Sequence, residues 1–538
     1  MKRFLRLKIL AAILLLLAMA AAVVWLASPY APVVEGYKEI EEIWEIEDAR
    51  EESETPLVTS LLNHGLPIGY DQTENTFYCP VGLGYTETWP EIHLTAPDAK
   101  DVRICFVDDY TYDACSDALW DSRMYEILVY TDTHYNYAYM VFTALPQVIL
   151  TSQQELLPHE DVPVSFAMAT AEGDYVETYA RAHERGDTSL RATPKHGVKV
   201  EFTRKADGSK KTQINMPLLG QTDEFILLSG SMDDQLIRDF LCWKLHGGIS
   251  EESETMGARD VHYVEMFINN RYQGIFLIMR PYDYADEMAK AGMHAPERDS
   301  LYRLAGRSVY EFDKPLAQDH RNIYYEQHYG PEGIEPFAPL APYFDLFAEK
   351  DNAVFCEKAE KYLDLDSVIR YGLLVQACGM TDNEMNNLYI WAHMTENGPV
   401  YRFSPWDMDS SFGKNDEENS EVWYGFELFD RLLELDCGGS RERLRRIWKE
   451  MRETAFSDEN LTGLIEEYTR LMNDTGAFYR DALRWSKDYT YADAYNIQAY
   501  VMARMQMMDR RIEEITSDAL AGHRLRIQGY TTFDEGAL

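Results

Sequence analysis

The chain has 538 residues, 46% of them hydrophobic and 13% aromatic, a composition that supplies a core and excludes a disordered, collagen-like or low-complexity protein. Lys and Arg number 51 against 91 Asp and Glu, a net charge of −40, and a field of that sign repels phosphate backbones and excludes a general nucleic-acid-binding role. The length predicts roughly two to four domains.

The N-terminus carries Lys2, Arg3, Arg6 and Lys8, followed by 19 uncharged residues from Ile9 to Ala27. A basic flank ahead of an apolar run of membrane-spanning length predicts a signal anchor or signal peptide over 1–31. The basic end stays in the cytoplasm and the remainder crosses the membrane. The chain is then membrane-anchored or secreted, with everything after the span extracytoplasmic. Trp25 sits at −3 to a cut after Ala27, which favours a retained anchor. Residues 32–65 read as an acidic juxtamembrane stalk: Glu35 to Glu54 holds ten carboxylates against Lys38 and Arg50.

Short Tyr-, Val-, Ile- and Phe-rich runs separated by polar clusters predict a small antiparallel β-sandwich over 66–144, serving as a spacer or interaction module. Its strands fall near 76–79, 91–95, 102–107, 125–130 and 137–143. Residues 145–520 form a larger unit. Strands are expected at 145–151, 198–202, 225–229 and 263–279, with one helix presenting Leu236, Ile237, Phe240, Leu241 and Leu245. After Asp364 the pattern turns helical, interrupted by a hairpin near Leu388–Phe403. The fold class is α+β, with a β-rich N-lobe and a helical C-lobe. Residues 521–538 are a polar tail. The seven cysteines form no C-x-x-C pair. Cys105 and Cys115 could pair, and the others read as small buried hydrophobes.

The strongest chemical constellation lies between Thr381 and Gly413. Asp382 and Asn387 sit on a polar loop after an apolar helix. The hairpin, with Asn397-Gly398 as its turn dipeptide, brings the chain back so that Asp407 arrives near Asp382, with Asp409 beside it. All are oxygen donors, which suits Mg²⁺ or Mn²⁺ rather than zinc. The order D-x-x-x-x-N, hairpin, then an Asp motif ending in Phe412-Gly413 is also that of protein kinases. Each piece alone has other readings: helix caps, or the Asp-x-Asp metal site of a glycosyltransferase. His246, His262 and His393 show no metal spacing. Serine-hydrolase, zincin and P-loop motifs are absent from the sequence.

At these residues the sequence resembles the spore coat protein H (CotH) kinase family of atypical protein kinases, from about Leu145 to Ile515. Gly186-Asp187-Thr188-Ser189, leading to Pro194-Lys195-His196-Gly197-Val198-Lys199, is similar to the family's stretch ending in Pro-Lys-Lys-Ser-Tyr-Arg. Phe225 to Asp239 resembles the next segment, where an Asp precedes a helix bearing an Arg. Asn269-Asn270-Arg271-Tyr272-Gln273-Gly274 resembles its Asn-x-x-Tyr-x-Gly hairpin, and Leu301-Tyr302-Arg303 its Leu-Tyr-Lys. Pro405 to Gly413 resembles the metal-binding segment, and Arg484-Trp485 with the helix near Arg504–Ile512 the helical end.

The resemblance implies a bilobal, atypical protein-kinase-like fold that transfers the γ-phosphoryl of ATP to Ser or Thr hydroxyls of a protein, with Mg²⁺ or Mn²⁺. Asp382 would be the catalytic base. Asn387, Asp407 and Asp409 would hold metal, and Lys195, Lys199 and Arg238 would bind the nucleotide. The acidic chain favours a basic, Ser-rich protein substrate. The departures are His196 for the second Lys, Lys199 for an Arg, Glu201 for a Lys, and Arg280 for the Glu after the Tyr-Leu-Leu strand. A reversed charge at 280 keeps open the alternative of a catalytically inactive, kinase-like cell-surface binding module.

Overall fold

A computed structural model describes residues 33–81, 92–99, 101–109, 123–250, 260–282, 298–304, 325–383, 386–414, 419–473, 475–486 and 494–517. The N-terminal anchor or signal segment and the polar tail lie outside the described residues. Among those described, no helix is long and apolar enough to cross a membrane.

The N-terminal unit starts earlier than the sequence suggests. β1 (Val34–Tyr37), α1 (Ile40–Asp48) and β2 (Glu51–Glu52) come from the acidic segment. β1 lies parallel to β8 (Arg103–Phe106), and β2 parallel to β10 (His134–Thr143). The segment is therefore part of the sheet rather than a free stalk. Most of its carboxylates face outward, Glu35 and Glu47 accept from the Tyr130 and Tyr137 hydroxyls, and Ile43 is buried against Cys105, Leu128 and Tyr130. The sheet is completed by β5 (Gly69–Asp71), β6 (Thr76–Pro80) and β9 (Met124–Tyr130), in the order β1-β8-β9-β10-β6-β5. β3 (Leu62–Asn63), β4 (Leu66–Pro67) and β7 (Leu94–Thr95) form a second small sheet across a shared core that includes Leu61, Phe77, Leu94, Ile104 and Phe142. The expectation of a purely antiparallel sandwich is corrected: β10 also pairs parallel to β6, because β10 joins two halves that a hairpin meander would keep apart.

This unit is seated on the barrel formed by residues 147–279. The Tyr78 ring stacks on Tyr272 with centroids 4.8 Å apart. Gln147 accepts a hydrogen bond from Gly69 N at 2.8 Å and donates one to Tyr78 O at 2.9 Å. A Cβ at Gly69 would meet the Phe267 ring at 2.3 Å, so the contact depends on glycine.

The barrel is closed and seven-stranded: β11 (Gln147–Thr151), β12 (Val162–Ala169), β13 (Tyr175–Arg185), β14 (Gly197–Thr203), β17 (Glu224–Leu228), β19 (Tyr272–Met279) and β18 (His262–Ile268), sealed by parallel pairing of β18 with β11. Val164, Phe166, Val200, Phe202, Phe225 and Phe276 fill it, the two faces alternating as the pleat requires. β15 (Ile214–Met216) and β16 (Gly220–Thr222) form a small excursion. The basic stretch 204–211 is a turn over Asp207-Gly208, where Lys211 meets Glu201, Asp223 and Glu224 at 3.1–3.2 Å.

α2 (Thr188–Ala192) follows β13, and α3 (Arg238–Ser250) follows β17. β20 (Ser300–Leu304), β21 (Tyr325–Tyr329), β22 (Leu388–Thr395) and β23 (Gly398–Pro405) make a four-stranded sheet in the order β21-β20-β22-β23. Around it pack α4 (Ala341–Phe347), α5 (Asn352–Tyr362), α6 (Leu365–Cys378), α7 (Glu427–Leu435), α8 (Ser440–Glu453), α9 (Asp458–Met472), α10 (Ala477–Trp485) and α11 (Ala494–Thr516). Leu444, Ile447, Trp448 and Met451, one stripe of α8, are buried in this core. The α+β class is borne out.

Cys356 on α5 is bonded to Cys437, 81 residues on, just after α7. Cys105 is a free, buried thiol, so a Cys105–Cys115 bridge is not formed. Closing the loop between Cys356 and Cys437, 81 residues apart, removes about 4.5 kcal/mol of unfolded-chain entropy in the loop-closure picture. Reduction of the native chain should lower its melting temperature by several degrees, and a Cys356→Ser, Cys437→Ser variant should melt at the reduced temperature with or without reductant.

Candidate active site

The site is assembled where α6 ends. Asp364 caps that helix, accepting from Ser367 N at 3.1 Å. Gly379 closes it in the left-handed conformation at φ 62°, a role glycine fills without steric cost. The chain turns through Met380 and Thr381 into Asp382. Here one Asp382 oxygen (Oδ2) accepts from the side-chain amides of Asn386 at 3.1 Å and Asn387 at 3.0 Å. The two residues singled out in sequence are thus in direct contact.

Pairing in the β22–β23 hairpin runs from Leu388 with Pro405 to Thr395 with Gly398, so the two turn residues are Glu396 and Asn397, with Gly398 opening β23 at φ 109°. That register lays Trp406 beside Asn387, and Trp406 N donates to Asn387 O at 2.9 Å. Asn383, fully buried, ties both ends by donating to Asn387 O at 3.1 Å and Trp406 O at 2.7 Å. Asp407 follows at φ 51°, in the left-handed region that costs a non-glycine residue energy. Its side chain is exposed to solvent within a cleft. Desolvation by the cleft walls, then the Asp409 carboxylate, push its carboxyl up to about 6, opposed by Arg185 and Arg303, with Asp382 adding to the rise.

Asp239, in the first turn of α3, is a member that sequence reasoning missed. Its carboxylate accepts from Met408 N at 3.0 Å. Burial, then the charges of Asp407 and Asp409, hold it well above the usual carboxylate range. Arg238 beside it, expected to contact nucleotide, instead pairs with Asp233 and donates to Ser411 O at 3.0 Å, bracing the 407–413 segment against α3. A small pocket lined by Ser229, Gly230, Asp233, Asp239, Tyr263 and Phe276 opens beside this brace.

Lys195 is not brought to the carboxylates. It is fully buried, with its ammonium on Asp481 at 2.6 Å and on Ile275 O at 2.6 Å, over the Phe276 ring at 4.9 Å. Asp481 also accepts from Ile275 N at 2.8 Å. A Cβ at Gly274 would lie 2.0 Å from that carboxylate, so the glycine of the Asn-x-x-Tyr-x-Gly hairpin makes room for the pair. Lys195 therefore takes its acid from α10, and Arg280 donates to Gln221 O instead. Lys199 pairs with Glu224 at 3.2 Å. Asp409 is held by Lys414 at 2.8 Å.

The cations that do face Asp407 are Arg185, at the end of β13, and Arg303, on β20. Arg185 lies 5.7 Å from the Trp406 ring centre. Arg303 is paired in register with Tyr389, whose ring is 5.6 Å from that of Trp406. The Leu301-Tyr302-Arg303 likeness is the available sequence signal for the second; the first carries none.

Among the described residues no three His, Cys, Asp or Glu side chains are grouped to hold a metal ion. In donor type alone, Asp239, Asp407 and Asp409 with the Asn387 carboxamide fit a hard divalent cation: every donor is oxygen. Burial first and like charge second raise Asp239 and Asp407, and such an ion would relieve the second.

An α+β chain with paired Asp and Asn on a loop, a returning hairpin and an Asp-rich segment has the ordered parts of a phosphotransferase of the kinase type. The family model described as CotH kinase protein matches residues 182–508. The chain belongs to the CotH kinase family. No curated protein matches it.

Proposed function

We propose that the protein is an exported or membrane-anchored kinase that moves the γ-phosphoryl of ATP to a Ser or Thr hydroxyl of a protein. The observation that carries this reading is the contact between Asp382 and Asn387 on a loop stitched to Asp407 by the hairpin register. Asp382, its carboxylate oriented by two amides, accepts the hydroxyl proton. The hydroxyl oxygen bonds to the γ-phosphorus, the bond to the β-phosphate bridging oxygen breaks, and ADP leaves. Asn387 and Asp407 would hold Mg²⁺ or Mn²⁺, with Asp239 or Asp409 completing the set. When bound, the ion neutralises charge on the phosphates. The charge of −40 favours a basic partner. The Cys356–Cys437 bond supports an oxidising, extracytoplasmic setting.

A second reading, a binding module without turnover, is favoured by the engagement of Lys195 with Asp481 and of Asp409 with Lys414. Incubation of the native chain with γ-labelled ATP, a basic Ser-rich test protein and either Mg²⁺ or Mn²⁺ separates the two. Label on the test protein supports the kinase; no label across the metal series supports the module.

A further inference from the structure

We infer that Arg185 and Arg303 form an oxyanion site beside Asp407 that takes the terminal phosphates of the phosphoryl donor, the task sequence reasoning gives to Lys195. The inference rests on the kinase reading for the identity of the donor, but on the two guanidiniums for the site itself.

Buried or half-buried cations are normally paired. In this chain such arginines are held by acids or by carbonyls: Arg480 is bound to Glu265, Arg238 to Asp233, Arg370 to Glu450 and Arg402 to Asp364, and the fully buried Arg504 donates to Gln376 O and Ser420 O. Arg185 and Arg303 depart from this pattern. Among the described residues neither makes an ion pair, and both are half-buried. The Arg303 Nε is buried without a hydrogen-bond partner. The two lie within reach of each other's charge, although the molecule as a whole is strongly acidic. Asp407 and Asp239 attract Arg185 without a hydrogen-bonded ion pair, and the Arg303 charge opposes it, a balance that an added anionic ligand would improve.

Their positions are fixed by the scaffold. Arg185 ends β13 opposite Gly197 and lies against Trp406, one residue before Asp407. Arg303 is held on β20, between Tyr389 of β22 and Glu326 of β21 in the sheet register. The Trp406 ring lies by Arg185 and contacts the Tyr389 ring, whose residue is paired in register with Arg303, so the two arginines share this corner. Five donors in a planar fork match the tetrahedral oxygens of a phosphoryl group. Asp407 faces both cations, while Asp409 and Asp239 act on it as like charges. Anionic phosphates between the arginines, and a cation among the carboxylates, would balance both halves of the cleft.

The test uses inorganic tripolyphosphate, which carries the phosphates without a nucleoside. Its binding to the native chain, Arg185→Gln, Arg303→Gln, the double variant and Arg204→Gln is measured by calorimetry at low salt, alongside the melting temperature of each without ligand. Arg204 is exposed on the turn after β14 and serves as control. Each single change at 185 or 303 should weaken tripolyphosphate by about tenfold or more, the double change should abolish binding, and Arg204→Gln should leave it unchanged. The ligand-free melting temperatures of the 185 and 303 variants should change by no more than about a degree or two, since relief of the repulsion between the two arginines is offset by loss of their attraction to Asp407. Undiminished binding by the double variant, no binding by the native chain, or a fall of many degrees in the ligand-free melting temperature of both single variants would overturn the site. Tripolyphosphate bound through both arginines, with no transfer from ATP, would leave the site standing while the kinase reading fails.

Discussion

Neutralising either partner of the Lys195–Asp481 pair should destabilise the fold by about 3–5 kcal/mol, because it leaves a charge uncompensated at a site with no solvent exposure. Lys195→Met strands the Asp481 carboxylate, although Ile275 N still donates to it. Asp481→Asn strands the ammonium. The double variant removes both charges and keeps an amide oxygen for Ile275 N, so its loss should be clearly smaller than the sum of the single losses. Urea unfolding of the three variants checks this. Losses that simply add would show that the two groups do not act as a pair. The pair is placed with consequence: Arg480, one residue earlier on α10, grips Glu265 at 2.8 Å and Thr143 at 2.9 Å. One turn of α10 thus anchors the barrel lysine and the junction with the N-terminal sheet.

The second large effect is expected at Asp382 and Asp407. Asp382→Asn should lower phosphoryl transfer by about 10²–10⁴-fold, since the amide preserves shape but cannot accept a proton. Asp407→Asn should lower transfer similarly and also weaken Mn²⁺ binding, as a hard cation loses an anionic ligand. The double variant should be little worse than either single one, because the two residues serve one event. Neither change should lower the melting temperature by more than about a degree or two, Asp407 being solvent-exposed and Asp382 half-buried. Removing charge near Asp239 and Asp409 should if anything relieve repulsion. A large fall in melting temperature with activity retained in the folded fraction would assign these carboxylates a structural role.

The legibility of each feature in the sequence depends on the range of the interactions behind it. Asp382, Asn387 and Asp407 are legible because one hairpin joins them, and period-two alternation with a turn dipeptide is a local signal. The turn itself sits one residue earlier than Asn397-Gly398, since Gly398 is needed at positive φ in the first strand position. β12 and β13 escape a reading of the sequence. β13 exposes Tyr175, Glu177 and Tyr179 on its outer face and carries little apolar signal, and its identity as a strand comes from barrel closure. Arg185 escapes with it. Arg303 lies more than a hundred residues away, and only the packing of barrel against sheet brings the two to Asp407. Lys195 reads as a nucleotide contact because a lysine's partner, here almost three hundred residues distant, leaves no mark nearby. At α3 the residue singled out is one position off. Arg238 turns to Asp233 and Ser411 O, while Asp239, about a hundred degrees round the helix, faces the carboxylates. The acidic segment reads as a stalk because its charge masks the single buried face of Ile43.

The most direct test tracks the γ-phosphoryl itself. The native chain and Asp382→Asn, matched for folded fraction by their melting curves, are incubated with γ-labelled ATP, Mn²⁺ and a basic Ser-rich protein. The products are then resolved into phosphoserine or phosphothreonine, inorganic phosphate and unreacted ATP. The account predicts labelled phosphoserine or phosphothreonine with the native chain and almost none with Asp382→Asn. Label on the test protein at equal rates with both chains, or label found only in ATP and inorganic phosphate with the native chain, would contradict it.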